Sequence, residues 1–146
     1  MSSATAPHRV STAPSLVVTL ENCPEAAAVA RDVAGDFLQG LGPPPDRDAA
    51  DAVVLIVSEL VTNAVRHTHT RTCTLSLAAG PGIVTVGVAD ASPRPPCERD
   101  PDVRGEGGGF GWPMVRRLAV STSVETSPHG KTVSAVVARV NRPSAA

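Results

Sequence analysis

Residues 46–67, DRDAADAVVLIVSELVTNAVRH, constrain the fold of this chain more than any other stretch. Val53, Val57, Leu60, Val61 and Ala64 recur at three- and four-residue steps, the repeat of a helix that buries one face. Val54 and Val65 widen that arc, and Leu55 falls outside it. Glu59, Asn63 and His67 are spaced i, i+4, i+8, so they form a second stripe along the edge of the core face. A carboxylate, an amide and an imidazole thus stand one above another. For the helix taken alone, a solvated flank and a functional edge are equally good readings.

A chain of 146 residues fits one domain and can bury about 68–70% of its unfolded surface. Thirteen basic and fourteen acidic residues, with no long run of either sign, leave no electrostatic footprint for nucleic acid. No apolar run is long enough to span a membrane, and MSSATAPHRVSTAPS lacks the hydrophobic region of a signal peptide. Cys23, Cys73 and Cys97 are an odd number without CxxC spacing, which fits a reducing cytoplasm better than a disulfide framework or a zinc site. His67-x-His69 has no third ligand cluster beside it.

The Ser-, Thr-, Ala- and Pro-rich residues 1–14 read as a disordered tail. SLVVTL follows as a strand with Leu16, Val18 and Leu20 on one face. Pro24 suits a first helical position, and Ala26, Val29, Ala30, Val33, Phe37 and Leu41 form the stripe of a first helix. Gly40, Gly42 and Pro43 to Pro45 end it, and Asp46 or Asp48 offers an N-cap for the central helix.

Past His67 the period drops to two. Cys73, Leu75 and Leu77 alternate with Thr74 and Ser76, AGPG makes the turn, and Val84, Val86 and Val88 share a face in IVTVGVAD. The same parity puts Asp90 on that face. A carboxylate there is costly to bury without a donor. Either Asp90 reaches solvent at a frayed end, or it bonds the turn begun by Ser92-Pro93, or it waits on a pocket floor for a ligand donor.

Residues 91–111 are too rich in proline and glycine for regular structure. A loop of this length is a lid, a binding loop or disordered. It ends in Gly107, Gly108, Gly109 and Gly111 before WPMVRRLAV, a short helix with Pro113 early and Met114, Val115, Leu118 and Ala119 apolar. Glycines feeding a helix N-terminus let backbone N–H groups approach an anion. Strands at 120–126 and 132–140 close the chain around a Ser127-Pro128-His129-Gly130 turn. Known phosphate signatures fail: no GxGxxG register fits, and Glu125 stands where the first glycine of a Walker A motif ending in Gly130-Lys131-Thr132 belongs. The protein-kinase motif set is absent.

SELVTNAVRH (58–67), VADASPRPP (88–96), GGFGWPMVRRLA (108–119) and GKTV (130–133) nevertheless stand in one order and spacing. They resemble the N box, the two glycine-type boxes and the terminal strand of the GHKL ATPases. More narrowly, the chain resembles the anti-sigma-factor serine/threonine kinases, especially the stand-alone actinobacterial domains, over about residues 15–140. Residues 141–146 would be a C-terminal tail.

The resemblance implies a role for each matching position. Asn63 would bind the nucleotide through the magnesium ion that bridges the ATP phosphates, since an amide oxygen suits a hard cation. Glu59 would be the catalytic base. Asp90 would accept the adenine amino proton, and Thr132 would back the adenine pocket. Gly107, Gly109 and Gly111 would approach the phosphates, residues 91–108 would form the ATP lid, and Arg66 and His67 would lie near the phosphate end. Phe110 stands where the family's second box carries arginine, and Arg104 could replace it.

Either route gives an α/β two-layer sandwich: a mainly antiparallel mixed sheet with three helices on one face. The activity implied is transfer of the ATP γ-phosphate, with magnesium, to a serine or threonine on an anti-anti-sigma-like antagonist. A sigma factor would be a second partner and a homodimer a further assembly, with no role for nucleic acid or membrane. The alternative is a nucleotide-gated binding module of the same fold without phosphotransfer.

Overall fold

The computed structural model describes residues 13–67, 71–92 and 111–140, apart from the His67 side chain. Five strands and three helices follow in the order β1 (Ser15–Glu21), α1 (Ala26–Gln39), α2 (Arg47–His67), β2 (Thr72–Gly80), β3 (Ile83–Asp90), α3 (Gly111–Leu118), β4 (Ser121–Ser127) and β5 (Gly130–Ala138). The sheet order is β1-β2-β3-β5-β4. Every pairing is antiparallel, so the expected mixed component is absent among the described strands.

One face of this sheet carries the core. Cys73, Leu75, Leu77 and Ala79 of β2, Val84, Val86 and Val88 of β3, and Val133, Ala135 and Val137 of β5 are buried against the helices. Alternate residues such as Thr74, Ser76, Thr85 and Ser134 lie on the other face and are half-buried, as the two-residue repeat requires. The architecture is therefore a two-layer α/β sandwich.

The apolar arc of α2 behaves as its periodicity predicts. Val53, Val57, Leu60, Val61 and Ala64 are buried, and Leu55 is 43% exposed. Ile56, fully buried, belongs to the same stripe, three residues after Val53 and four before Leu60. Asp46 is the cap: its Oδ1 accepts the Ala49 N–H at 2.9 Å, satisfying a donor that the first helical turn leaves open. Asp48 instead lies in the first turn, where its charge meets the positive end of the helix dipole. The Asp46 N–H donates to the Arg139 carbonyl at 3.1 Å, and Arg139 donates to the carbonyls of Gly80 and Pro43. The start of α2 is thus fastened to the end of β5.

Helix α1 departs from expectation by a rotation. Its buried residues are Ala26, Ala30, Ala34 and Leu38; Val29 is 47% exposed, and Val33 and Phe37 are only half-buried. Small alanines on the inner face let α1 approach α2 and the sheet closely, and the bulkier stripe falls at the margin. Pro24 precedes the helix, which begins at Ala26 with Glu25 as its N-cap residue. No described helix is long and apolar enough to cross a membrane.

Candidate functional site

Glu59 and Asn63 stand one turn apart on α2 and are both half-buried, at the edge between the buried face and the layer beside it. Helix α3 begins at Gly111, directly over Glu59. A Cβ placed on Gly111 would overlap Glu59 Oε1 and lie 3.1 Å from its Cδ. The carboxylate therefore sits against backbone at the N-terminal end of α3, where the helix dipole favours negative charge. Only glycine permits that approach. Val115, one turn on, is fully buried and fixes α3 to the core.

Asp90 ends β3 on the core face, as its parity with Val88 predicts. It does one of the things the sequence leaves open and one that the sequence does not foresee. Its Oδ1 accepts the Ser92 N–H at 2.7 Å, closing the local turn. Both of its oxygens also accept from Lys131 Nζ, at 3.1 Å for Oδ1 and 2.9 Å for Oδ2. The ammonium further donates to the Ser92 carbonyl at 3.5 Å. The side chains of this ion pair are 4% (Lys131) and 2% (Asp90) exposed. The donor that the buried carboxylate demands is thus supplied from within the chain.

The strand register explains the pairing. Asp90 and Lys131 are direct cross-strand partners between β3 and β5, and Lys131 shares its face with Val133, Ala135 and Val137, all buried. Thr132 consequently points to the opposite face of the sheet, paired with Ala89. This corrects the expectation that Thr132 backs the pocket: the strand alternates, and the residue facing Asp90 is Lys131. Gly130 makes the approach possible. Its φ is +153°, and a Cβ there would overlap the Asp90 carbonyl oxygen and come within 2.9 Å of Ala91 Cα.

Cys73, on β2, is buried and faces the same region. Burial pushes its thiol above the ordinary range, and the Asp90 charge adds to the effect. Arg66 is exposed and lines a hollow of about 370 Å³ with Asn22, Cys23, Pro24, Ala27, Thr62 and Val65. Those neighbours belong to the β1–α1 turn, to the first turn of α1 and to α2. His67 is the last residue of α2. Arg104, Gly107 and Gly109, with residues 93–108 of the expected lid, lie outside the described residues. The site therefore gathers Glu59, Asn63 and Gly111 at one point, and Asp90 with Lys131 at another.

Lys131 was not among the residues the sequence singled out, although the alternation of Val133, Ala135 and Val137 carries the signal that places it inward. Reading Gly130-Lys131-Thr132 as a failed Walker A motif passes over that parity.

The sequence matches the histidine kinase-like ATPase domain over residues 20–137. No curated protein matches it. Among solved structures, that of the RsbU and RsbW domains of Rv1364c from Mycobacterium tuberculosis is similar, with a TM-score of 0.65 and 24% identity. The similarity covers 86% of this chain and 32% of that one, so this chain spans about a third of its length, and the likeness is one of fold. The family match, by contrast, takes in every element that carries Glu59, Asn63, Asp90 and Gly111. This chain belongs to the histidine kinase-like ATPase domain family.

Proposed function

We propose that this domain binds ATP with magnesium and transfers the γ-phosphate to a serine or threonine of a small antagonist protein, in the manner of an anti-sigma-factor kinase. The observation that carries this reading is the contact between Glu59 and Gly111. It sets a carboxylate at the point where a glycine-rich segment enters a helix, within reach of a group held by backbone amides.

The residues present fit a shared magnesium ion. Among the described residues, no cluster of three or more His, Cys, Asp and Glu side chains could hold a metal unaided. Magnesium rarely needs such a cage, because it keeps several waters and binds through one or two protein oxygens plus substrate phosphates. The Asn63 amide oxygen would be the protein ligand of this kind, and the ion, when bound, would supply charge neutralisation for the phosphoryl group. Glu59, one turn away, would take the proton of the attacking hydroxyl. Asp90 would accept a hydrogen bond from the adenine amino group. Arg66 and His67, at the C-terminal end of α2, would lie near the phosphates.

Incubating the protein with γ-labelled ATP, magnesium and candidate antagonist proteins tests the reading. Label should move to a serine or threonine of one antagonist, and Glu59→Gln should stop it. Tight ATP binding without transfer to any antagonist would leave the alternative, a nucleotide-gated binding module. A sigma factor as second partner would appear as a complex that the unphosphorylated antagonist displaces.

A further inference from the structure

Lysine occurs once in the whole chain, at position 131, against twelve arginines. That one lysine is 7% exposed and carries its charge on the core face. It points into an ion pair with the carboxylate on which adenine recognition depends. The ammonium, a compact point charge with three donors, reaches both oxygens of that carboxylate and the Ser92 carbonyl.

We infer that Lys131 is the resident counter-ion of the base pocket: it occupies Asp90 in the empty protein and has to leave that carboxylate before an adenine amino group can replace it. The inference rests on the ATP-binding reading above and adds a determinant of affinity to it. Three hydrogen bonds already converge on Asp90, two from Lys131 and one from the Ser92 N–H. The Ser92 bond is local and compatible with a ligand. The Lys131 bonds compete with one, because the ammonium stands against both oxygens of a side chain that is 2% exposed.

The competition has a defined form. If only the fraction of molecules with Lys131 displaced can receive the base, the apparent dissociation constant rises by the inverse of that fraction. Taking the lysine away removes the competitor and leaves a buried carboxylate without its partner, a state that a donor from the base relieves. Lys131 therefore sets a threshold that weak or wrongly polarised ligands do not pass. Gly130 belongs to the same device, since its open approach to Asp90 and Ala91 holds β5 where Lys131 reaches the carboxylate.

The test compares ATP binding to the wild type, Lys131→Met and Asp90→Asn by titration calorimetry. Lys131→Met should bind ATP roughly tenfold to hundredfold more tightly than the wild type, the range of a charge-assisted hydrogen bond released from competition. Asp90→Asn should bind more weakly than the wild type. Binding by the wild type that Lys131→Met leaves unchanged or weakens would overturn the inference alone and make Lys131 a base ligand or a scaffold. No binding of ATP by any of the proteins would overturn the ATP reading together with the inference. Should Lys131→Met not fold, the ammonium signal of the wild type decides, because a single lysine needs no assignment. Its ¹H–¹⁵N resonance, sharp while paired and buried, should broaden or shift when ATP saturates the protein; an unchanged signal at saturation would refute the displacement.

Discussion

The carboxylate of Glu59 lies against the α-carbon of Gly111, with no room for a side chain between α2 and the first residue of α3. Each element thereby positions the other. The glycine lets α3 start directly over the carboxylate, and the carboxylate lies at the positive end of that helix. Gly111→Ala should destabilise the protein by about 1–3 kcal/mol, the usual cost of overpacking. Adding Glu59→Ala to Gly111→Ala should then recover part of the loss, a coupling that urea denaturation of the four proteins in the cycle would measure. Additive losses would mean that the overlap is relieved by backbone movement and that the two residues do not constrain each other.

A second prediction divides the stripe on α2 by chemistry. Asn63→Ala should weaken ATP binding in magnesium and have little effect in its absence, because the amide is asked only to hold the ion. Glu59→Gln should leave binding near the wild-type value and lower phosphotransfer by about 10²–10⁴-fold, the contribution of a general base. Titrations with and without magnesium, beside single-turnover transfer, separate the two. The reverse pattern would exchange the roles.

How far the sequence foretold this arrangement depends on the kind of signal. Val53, Val57, Leu60, Val61 and Ala64 were legible because helical periodicity is local and the core is one-sided. Asp90 was legible in its face, since strand parity needs only Val84, Val86 and Val88. Its partner was not, because the pairing of Asp90 with Lys131 is a register between strands about forty positions apart, and register is set by the assembled sheet. The rotation of α1 escaped for another reason. Periodicity weighs Val29, Val33 and Phe37 by their hydrophobicity, whereas close packing against α2 selects the small Ala26, Ala30 and Ala34. Thr132 was misplaced by carrying a family role to a position one residue from the inward-facing one.

The cap on α2 yields a stability prediction independent of function. Asp46→Ala removes the acceptor for the Ala49 N–H and should cost about 1 kcal/mol. Asp48→Ala removes only a first-turn charge and should cost about 0.3–1 kcal/mol, falling as salt is added. Thermal unfolding of both variants at low and high ionic strength tells a hydrogen-bonded cap from a dipole effect. Equal, salt-sensitive losses would show that Asp46 acts through its charge alone.

The last prediction follows from Cys73, whose thiol is pushed up first by burial and then by the charge of Asp90. In the folded protein the thiol keeps its proton over a range where the unfolded chain has begun to release it. The unfolded state then binds fewer protons than the native one, so stability falls as pH rises. The contribution is complete below the ordinary thiol pKa of about 8.5 and declines above it, by at most about 1.4 kcal/mol per pH unit, until the folded thiol also ionises. Other groups titrate in the same window, so the informative quantity is a difference. Cys73→Ala opens a small cavity, a loss that does not depend on pH, and removes the titration. The stability gap between wild type and Cys73→Ala should therefore be constant from about pH 6 to about pH 8 and narrow above that, as the wild type alone suffers the thiol penalty. Urea denaturation at stepped pH measures it. A gap that stays constant through about pH 10 would mean that the native thiol ionises as readily as the unfolded one, and that Cys73 does not sense the charge of Asp90 across the pocket.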